Sequence, residues 1–139
     1  MIGQEFLYYT EVLFMRKSEF TSTIAVVLKR EGFLKKGTYW YREKNDYLEC
    51  FWIQGSQWEK DDYYVEIGFA DKLPNQKYPS YLQWFAAHRC KSNNREINLP
   101  LHDVLSECSR LFKNFLTKTD VLRFVNTFSP VNIAGQYRF

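Results

Sequence analysis

The segment 62–70 constrains the fold most, because its side chains alternate in kind with a period of two. Tyr63, Val65, Ile67 and Phe69 fall on one side of a predicted strand, and less apolar side chains fall on the other. One face is therefore clearly more apolar, as expected where helices cover one side of an antiparallel sheet. The segment favours a fold in which helices and an antiparallel sheet share a core.

Two further strands are predicted before this one. Residues 38–43 are dense in aromatic side chains, residues 44–46 form a polar turn, and residues 47–54 predict a second strand. The stretch 38–54 therefore predicts a β-hairpin. Residues 81–91 fit either a fourth strand or a helix, and the sequence leaves both open.

Helical spacing is found at both ends of the chain. Apolar residues at steps of three and four predict helices over residues 2–13, 19–31 and 100–117, and a short final helix that begins near Thr119. The last nine residues are predicted to be a tail. We expect one α+β domain over residues 1–139, with an antiparallel sheet of about four strands and the N- and C-terminal helices packed on one face.

Two residues mark the predicted ends of the second helix. Ser18 is a typical N-cap residue, since its hydroxyl can accept a hydrogen bond from a free backbone N–H of the first turn. Gly32 follows two cations and a glutamate, and glycine tolerates the left-handed conformation that commonly ends a helix.

Composition and charge exclude several classes of protein. The 139 residues are 45% hydrophobic and 25% charged, which is typical of a globular domain and not of a disordered chain. The formal net charge of +3 is too small for a dedicated nucleic-acid binder. The first 20 residues lack the pattern of a secretory signal, and no apolar run is long enough to cross a bilayer. We therefore expect a soluble, cytoplasmic protein.

Cysteine and histidine are few and widely spaced. Cys50, Cys90 and Cys108 form no CxxC pair, which favours reduced thiols over a disulfide framework. His88 and His102 do not combine with them at the spacing of a zinc site. Phosphate-binding glycine loops and nucleophile elbows are also absent from the sequence. We expect no catalytic residue, no metal and no cofactor.

Part of the chain resembles a known family. The helix that ends in Gly32-Phe33 is followed by Leu-Lys-Lys-Gly-Thr-Tyr-Trp-Tyr-Arg-Glu over residues 34–43, and later by Gln54-Gly55-Ser56 and Ile67-Gly68-Phe69. Over residues 20–70 these motifs are similar to those of the bacterial domain-of-unknown-function family 4304. The resemblance implies helices packed on an antiparallel sheet and implies no activity. Small bacterial domains of this type look like immunity or toxin-associated proteins.

Surplus aromatic residues beside charged ones indicate a binding surface. Trp, Tyr and Arg contribute most of the binding energy at protein interfaces. On the first strand Tyr39 and Tyr41 lie on one face, and Trp40 and Arg42 lie on the other. The predicted partner-binding residues are Trp40, Arg42, Trp52, Gln54, Trp58, Glu59, Asp61 and Asp62. We expect a non-enzymatic domain that binds a protein partner, for example an immunity protein that neutralises a cognate toxin by binding it.

Two alternatives remain open. The first is single-stranded nucleic-acid binding through the basic and aromatic hairpin, with Lys35, Lys36 and Arg42 as phosphate contacts. The second is a small enzyme whose site is assembled from scattered residues, which a deep pocket holding His88 or Glu66 would support.

Glu49 and Glu66 lie on adjacent predicted strands, where paired carboxylates could serve acid–base chemistry. We interpret them as solvent-facing positions on an exposed sheet face.

Overall fold

A computed structural model describes residues 15–139, so the helix predicted over residues 2–13 lies outside the described residues. The α-helices are α1 (Lys17–Arg30), α2 (Leu101–Leu111) and α3 (Lys118–Asn126). The strands are β1 (Leu34–Lys36), β2 (Tyr39–Glu43), β3 (Leu48–Gly55), β4 (Tyr63–Ala70), β5 (Ala86–Arg89), β6 (Val131–Ile133) and β7 (Gln136–Arg138).

The strands form one sheet in the order β1-β2-β3-β4-β5-β7-β6. Every neighbouring pair is antiparallel except β5 with β7, which is parallel. The α+β class is therefore confirmed, although the sheet has seven strands where about four were expected. The added strands are β1 and the C-terminal hairpin β6–β7, which replaces the predicted tail. Each is three residues long, too short for alternation to be visible in the sequence.

Helix α1 packs on one face of the sheet through Phe20, Ile24 and Leu28, which recur every four residues and are all buried. The helix begins one residue before Ser18, so the predicted N-cap lies inside its first turn. Gly32 follows the helix with a φ of +91°, as the predicted left-handed end requires.

Helix α2 is shorter than predicted. It ends at Leu111, although apolar residues continue at helical spacing up to Leu116. The chain turns at Asn114, whose φ is +55°, and both Phe112 and Phe115 still pack against the core from this non-helical segment. The apolar spacing therefore predicted correctly that these residues pack against the core, but it predicted too long a helix.

The opposite face of the sheet is also partly covered. The segment between β4 and β5 folds back over it, with Trp84 buried against the strands and the Tyr41 hydroxyl donating to the backbone oxygen of Pro79. The ambiguous stretch 81–91 contains a single 3₁₀ turn, Tyr81–Gln83, and then strand β5. Of the helices within residues 15–139, none has the length and apolar character needed to cross a bilayer.

Candidate functional site

The register of four strands places a row of side chains on the sheet face opposite the helices. Tyr39 pairs with Trp52, Trp52 pairs with Glu66, and Glu66 pairs with Arg89. Paired residues point to the same side of a sheet, so this row crosses β2, β3, β4 and β5 on one face. The segment between β4 and β5 leaves this part of the face partly exposed.

Aromatic rings form one half of the exposed surface. Tyr39 and Trp52 stack with centroids 5.1 Å apart and an interplanar angle of 3°, and the Tyr81 ring lies tilted with its centroid 5.1 Å from that of Trp52. The Trp52 indole N–H donates to the Thr38 hydroxyl at 3.0 Å, and the Tyr81 backbone N–H donates to the Tyr39 hydroxyl at 3.2 Å. Stacking and hydrogen bonds together hold the rings in place.

Arg89 lies at the centre of the charged half of the exposed surface. Its Nε donates to Glu66 Oε1 at 2.6 Å and its Nη2 donates to Gln54 Oε1 at 2.8 Å, while its guanidinium lies 4.5 Å from the centre of the Tyr64 ring. The Glu66 side chain is only 2% exposed. Burial raises the pKa of the Glu66 carboxyl above its ordinary value, and the hydrogen bond from Arg89 opposes that rise.

The C-terminal hairpin supplies a second arginine. Arg138 of β7 donates through Nε to Gln136 Oε1 at 2.9 Å, and its guanidinium lies 5.9 Å from the centre of the Tyr81 ring. The Gln136 amide in turn donates to the backbone oxygens of Tyr81 at 2.7 Å and Trp84 at 3.2 Å. A strand at the end of the chain is thus bonded to the segment that frames the exposed face.

These groups line two neighbouring depressions of about 350 and 470 Å³, which share Tyr81, Arg89 and Arg138. The smaller one also contains Lys91 and Glu96. We call the two depressions together the aromatic–arginine cleft. Its defining residues are Tyr39, Trp52, Gln54, Glu66, Tyr81, Arg89, Lys91, Glu96 and Arg138.

The structure separates the predicted partner-binding residues of the hairpin. Trp52 and Gln54 lie in the cleft. Trp40 lies under the helices and is 5% exposed, so its prediction as a partner contact is wrong. Arg42 lies on the same covered face and donates through Nε to the buried carboxylate of Glu49 at 2.6 Å. The alternation of the strand was predicted correctly, but both of its faces are aromatic, so the sequence did not show which face the helices cover.

The other predicted contacts lie in the loop between β3 and β4. Trp58 is 86% exposed there, beside the exposed Glu59 and Asp61, while Asp62 accepts a hydrogen bond from the Asn98 side chain at 2.6 Å. The loop follows directly from the end of β3. Trp58 is four residues beyond Gln54, so at most about 14 Å of chain separates the exposed indole from the cleft.

The basic residues named for nucleic-acid binding do not share a surface. Lys35 pairs with Trp40 and Lys36 pairs with Tyr39, so their side chains lie on opposite faces of the sheet. Arg42 lies on the helix-covered face with Lys35. The set Lys35, Lys36 and Arg42 is therefore divided between the two faces of the sheet.

The interpretation of Glu49 and Glu66 as solvent-facing residues is wrong. Both are buried, Glu49 under the helices and Glu66 in the cleft on the opposite face. Each is paired with an arginine on the neighbouring strand, Glu49 with Arg42 and Glu66 with Arg89. Such cross-strand pairing allows a carboxylate to be buried, and it depends on a register that the sequence does not display.

His88 is buried on the helix side, where its two ring nitrogens contact the Phe139 backbone oxygen and Glu107 Oε2, both at 2.6 Å.

Burial raises the pKa values of the Cys50 and Cys90 thiols well above the ordinary value. Within residues 15–139, no group of three His, Cys, Asp or Glu side chains is arranged to hold a metal ion.

Comparison with known proteins identifies the family. Neither the curated proteins nor the solved structures contain a match to this chain. The family model described as Domain of unknown function (DUF4304) matches residues 24–112, from within α1 to the residue after α2. The match includes every residue that lines the cleft except Arg138 and Phe139, and it extends the resemblance noted over residues 20–70. Because it covers more than half of the sequence, the chain belongs to the domain-of-unknown-function family DUF4304.

Proposed function

We propose that this chain is a non-enzymatic domain that binds a protein partner, and that the aromatic–arginine cleft is its contact surface. The observation that carries the proposal is the partly exposed cluster of the Tyr39, Trp52 and Tyr81 rings beside Arg89 and Arg138. Tryptophan, tyrosine and arginine are the residues that most often dominate the energy of protein interfaces. Side chains already held by stacking lose little conformational freedom on binding, which favours affinity.

A role as an immunity-type protein fits this surface. Neutralising a toxin by binding requires a complementary surface and no chemistry of its own. The exposed Trp58 and its acidic neighbours, at one end of the cleft-bearing strand β3, enlarge the area that a single partner could cover. We propose that the partner is a toxin domain of the same cell and that the protein acts in the cytoplasm, where its three free thiols stay reduced.

The test is affinity capture of the tagged chain from the lysate of its native cell. Trp52→Ala is compared with the wild type and with Leu116→Ala, which removes an exposed apolar side chain between α2 and α3. We expect wild type and Leu116→Ala to recover the same protein in the presence of nuclease. Trp52→Ala should recover at least about tenfold less, because an interface hot spot contributes roughly 2 kcal/mol or more.

Two results contradict the proposal. Equal recovery by Trp52→Ala, with circular dichroism and melting temperature unchanged, removes the cleft as the contact surface. Loss of all partners on nuclease treatment favours nucleic acid, whose bases can also stack on Trp52 and Tyr81.

A small enzyme is the second candidate, because Glu66 is a buried carboxyl with a raised pKa in a cleft. General acids are tuned in this way. If this candidate is right, Glu66→Gln abolishes turnover of a substrate and Trp52→Ala mainly weakens its binding. The protein-binding proposal instead expects Glu66→Gln to recover the partner that wild type recovers.

A further inference from the structure

We infer that the partner presents an acidic side chain, and that its carboxylate binds between Arg138 and Lys91 in the smaller depression of the cleft. The inference rests on the proposed function and specifies the chemistry of the partner at that surface. Both cations line the same depression of about 350 Å³. This depression adjoins the aromatic half of the cleft, since Tyr81, Arg89 and Arg138 line both.

Arg138 is oriented before any partner arrives. Its Nε is held by Gln136 and its guanidinium lies beside the Tyr81 ring. Gln136 is itself fixed by two backbone oxygens. Because Nε is the only nitrogen so engaged, the two terminal amino groups of the guanidinium remain available to an acceptor. A carboxylate is the side-chain group that matches this planar fork.

The charges of the cleft are unevenly compensated. Arg89 is paired with the buried Glu66 and lies 3.9 Å from Glu96. Among residues 15–139, by contrast, no carboxylate lies within ion-pair distance of Arg138 or Lys91. Neither cation is matched by a carboxylate at ion-pair distance among these residues, although Arg138 also acts on Glu66 at longer range. An acidic group of a partner would therefore complement the two cations.

The two glutamates of the cleft favour a single carboxylate over a nucleic-acid backbone. Glu66 and Glu96 line the same depression as Arg138 and Lys91. A phosphate backbone carries a charge at every nucleotide, so a strand running along the cleft would bring phosphates close to these carboxylates. A single acidic side chain brings one charge into the depression and no repeating series of charges.

The experiment is a titration of the full chain with the peptide tetra-glutamate at about 0.1 M salt, followed by nuclear magnetic resonance. The reporters are the Nε–H signal of Arg138 and the indole signal of Trp52. We expect the Arg138 signal to shift in a saturable way. We also expect Arg138→Gln to raise the peptide concentration for half-maximal shift of Trp52 about tenfold, as for loss of a hydrogen bond between charged groups.

Lys29→Gln is the matched control. It changes the net charge by the same amount at an exposed position near the end of α1, and it should leave the titration unchanged. Equal weakening by Lys29→Gln overturns the inference, because the peptide is then attracted only by net charge. Absence of any saturable shift of Arg138 also overturns it. Tighter binding of the oligonucleotide dT8 than of tetra-glutamate, judged on the same signals, overturns it in favour of nucleic acid.

Failure of this inference is distinguishable from failure of the proposed function. If Arg138→Gln recovers the cellular partner as well as wild type while Trp52→Ala does not, the cleft is the contact surface. The inference that Arg138 binds a carboxylate of the partner is then wrong. If Trp52→Ala also recovers the partner, the proposed surface itself is wrong.

Discussion

Gly68 lies at a close approach between strand β4 and the segment that folds over it. A Cβ atom at this position would lie 2.3 Å from the Ala86 backbone oxygen and 2.5 Å from the Trp84 ring. Neither neighbour can withdraw easily, since Ala86 belongs to strand β5 and Trp84 is fully buried. The absence of a side chain at residue 68 is therefore what allows Trp84 to cover this face of the sheet.

Replacing Gly68 by alanine should lower the free energy of unfolding by about 3 kcal/mol, at the upper end of the usual cost of overpacking. Urea unfolding followed by tryptophan fluorescence measures the change. The control is Gly55→Ala, where the nearest atom to the new Cβ is the end of the flexible Lys17 side chain. Gly55→Ala should stay within about 0.5 kcal/mol of wild type. Similar unfolding midpoints for the two variants would show that Trp84 does not lie against Gly68.

The contributions of Glu66 and Glu107 to the free energy of unfolding should depend on pH in opposite directions. Burial raises the pKa of Glu66, and Arg89 offsets this only in part. Between the ordinary value of 4.5 and the higher folded value, the unfolded chain has lost this proton and the folded chain keeps it. The contribution of Glu66 therefore becomes less favourable as pH rises above 4.5. Glu66→Gln should remove that decline, which urea unfolding at a series of pH values from 4 to 7 measures.

Glu107 should behave in the opposite way. Burial raises its pKa, but the hydrogen bonds from Arg110 and His88 outweigh burial and hold the pKa below the ordinary 4.5. The stability that Glu107 contributes is present above pH 4.5 and is lost as pH falls through the folded value. Glu107→Gln should lower stability at pH 6 and bring the variant closer to wild type at pH 3.5. The same sign of pH dependence for Glu66→Gln and Glu107→Gln, each relative to wild type, would contradict the assignment.

The residues of the cleft show how far the sequence predicts a site of this kind. Trp52 and Gln54 were named among the predicted partner-binding residues and lie in the cleft. Arg89 and Arg138 were not named, because they reach the cleft through the pairing of β5 with β4 and β7. Both pairings join strands distant in sequence, and no local pattern encodes them. Trp40 was named for its residue type, which does not distinguish a core tryptophan from an interface one.

At the scale of elements, helix α3 carries the clearest local signal. The Thr117 side chain accepts a hydrogen bond from the Asp120 backbone N–H at 3.2 Å, and Asp120 Oδ2 accepts one from the Thr117 N–H at 3.2 Å. This reciprocal capping box satisfies two backbone donors at the start of a nine-residue helix. The stability of so short a helix depends strongly on its N-terminal cap and on the packing of its buried face.

Thr117→Ala should therefore lower the free energy of unfolding by about 1 kcal/mol. The measurement is urea unfolding followed by circular dichroism at 222 nm. Thr119→Ala is the matched control, because it removes the same atoms from an exposed position in the first turn and should change stability by less than about 0.5 kcal/mol. Equal losses for the two variants would mean that the capping hydrogen bond contributes nothing specific.

The sequence predicted the elements whose apolar residues recur at a regular spacing. It did not predict the elements that depend on contacts between distant parts of the chain. The helix α1, the hairpin β2–β3 and the strand β4 each carry four or more alternating or helically spaced residues. The hairpin β6–β7 carries only a turn signal: Gly135 has a φ of +86°, and its N–H donates to the Asn132 side chain at 3.0 Å. That turn was present in the sequence, but β7 gains its partner β5 only in the folded molecule.

At the scale of the whole molecule, the sheet separates two packed layers. Phe51 and Ile67 belong to the layer under the helices, whereas Cys50 and Trp84 belong to the layer under the segment between β4 and β5. The three cysteines are distributed over both layers. Cys50 lies in the second layer, Cys90 lies in the helix layer, and Cys108 of α2 packs against the helix layer.

The thiols therefore report on how cooperatively the two layers open. Burial raises the pKa of all three, to about 12 for Cys108, and only the thiolate reacts with a disulfide reagent. At pH 8 we expect each thiol of the native protein to react with 5,5′-dithiobis(2-nitrobenzoate) at least about 100-fold more slowly than the unfolded chain. Cys108 should react first, because it lines a cleft of about 360 Å³ between α1 and α2.

The order of reaction tests the two-layer arrangement directly. With Cys108→Ser, the remaining thiols should react at one common rate, since each is fully buried and becomes accessible only when its layer opens. A common rate means that the two layers open together. If Cys50 reacts well before Cys90, the segment between β4 and β5 lifts off while the helices stay in place. The aromatic–arginine cleft, which that segment frames through Tyr81, would then not be the rigid surface that the proposed function requires.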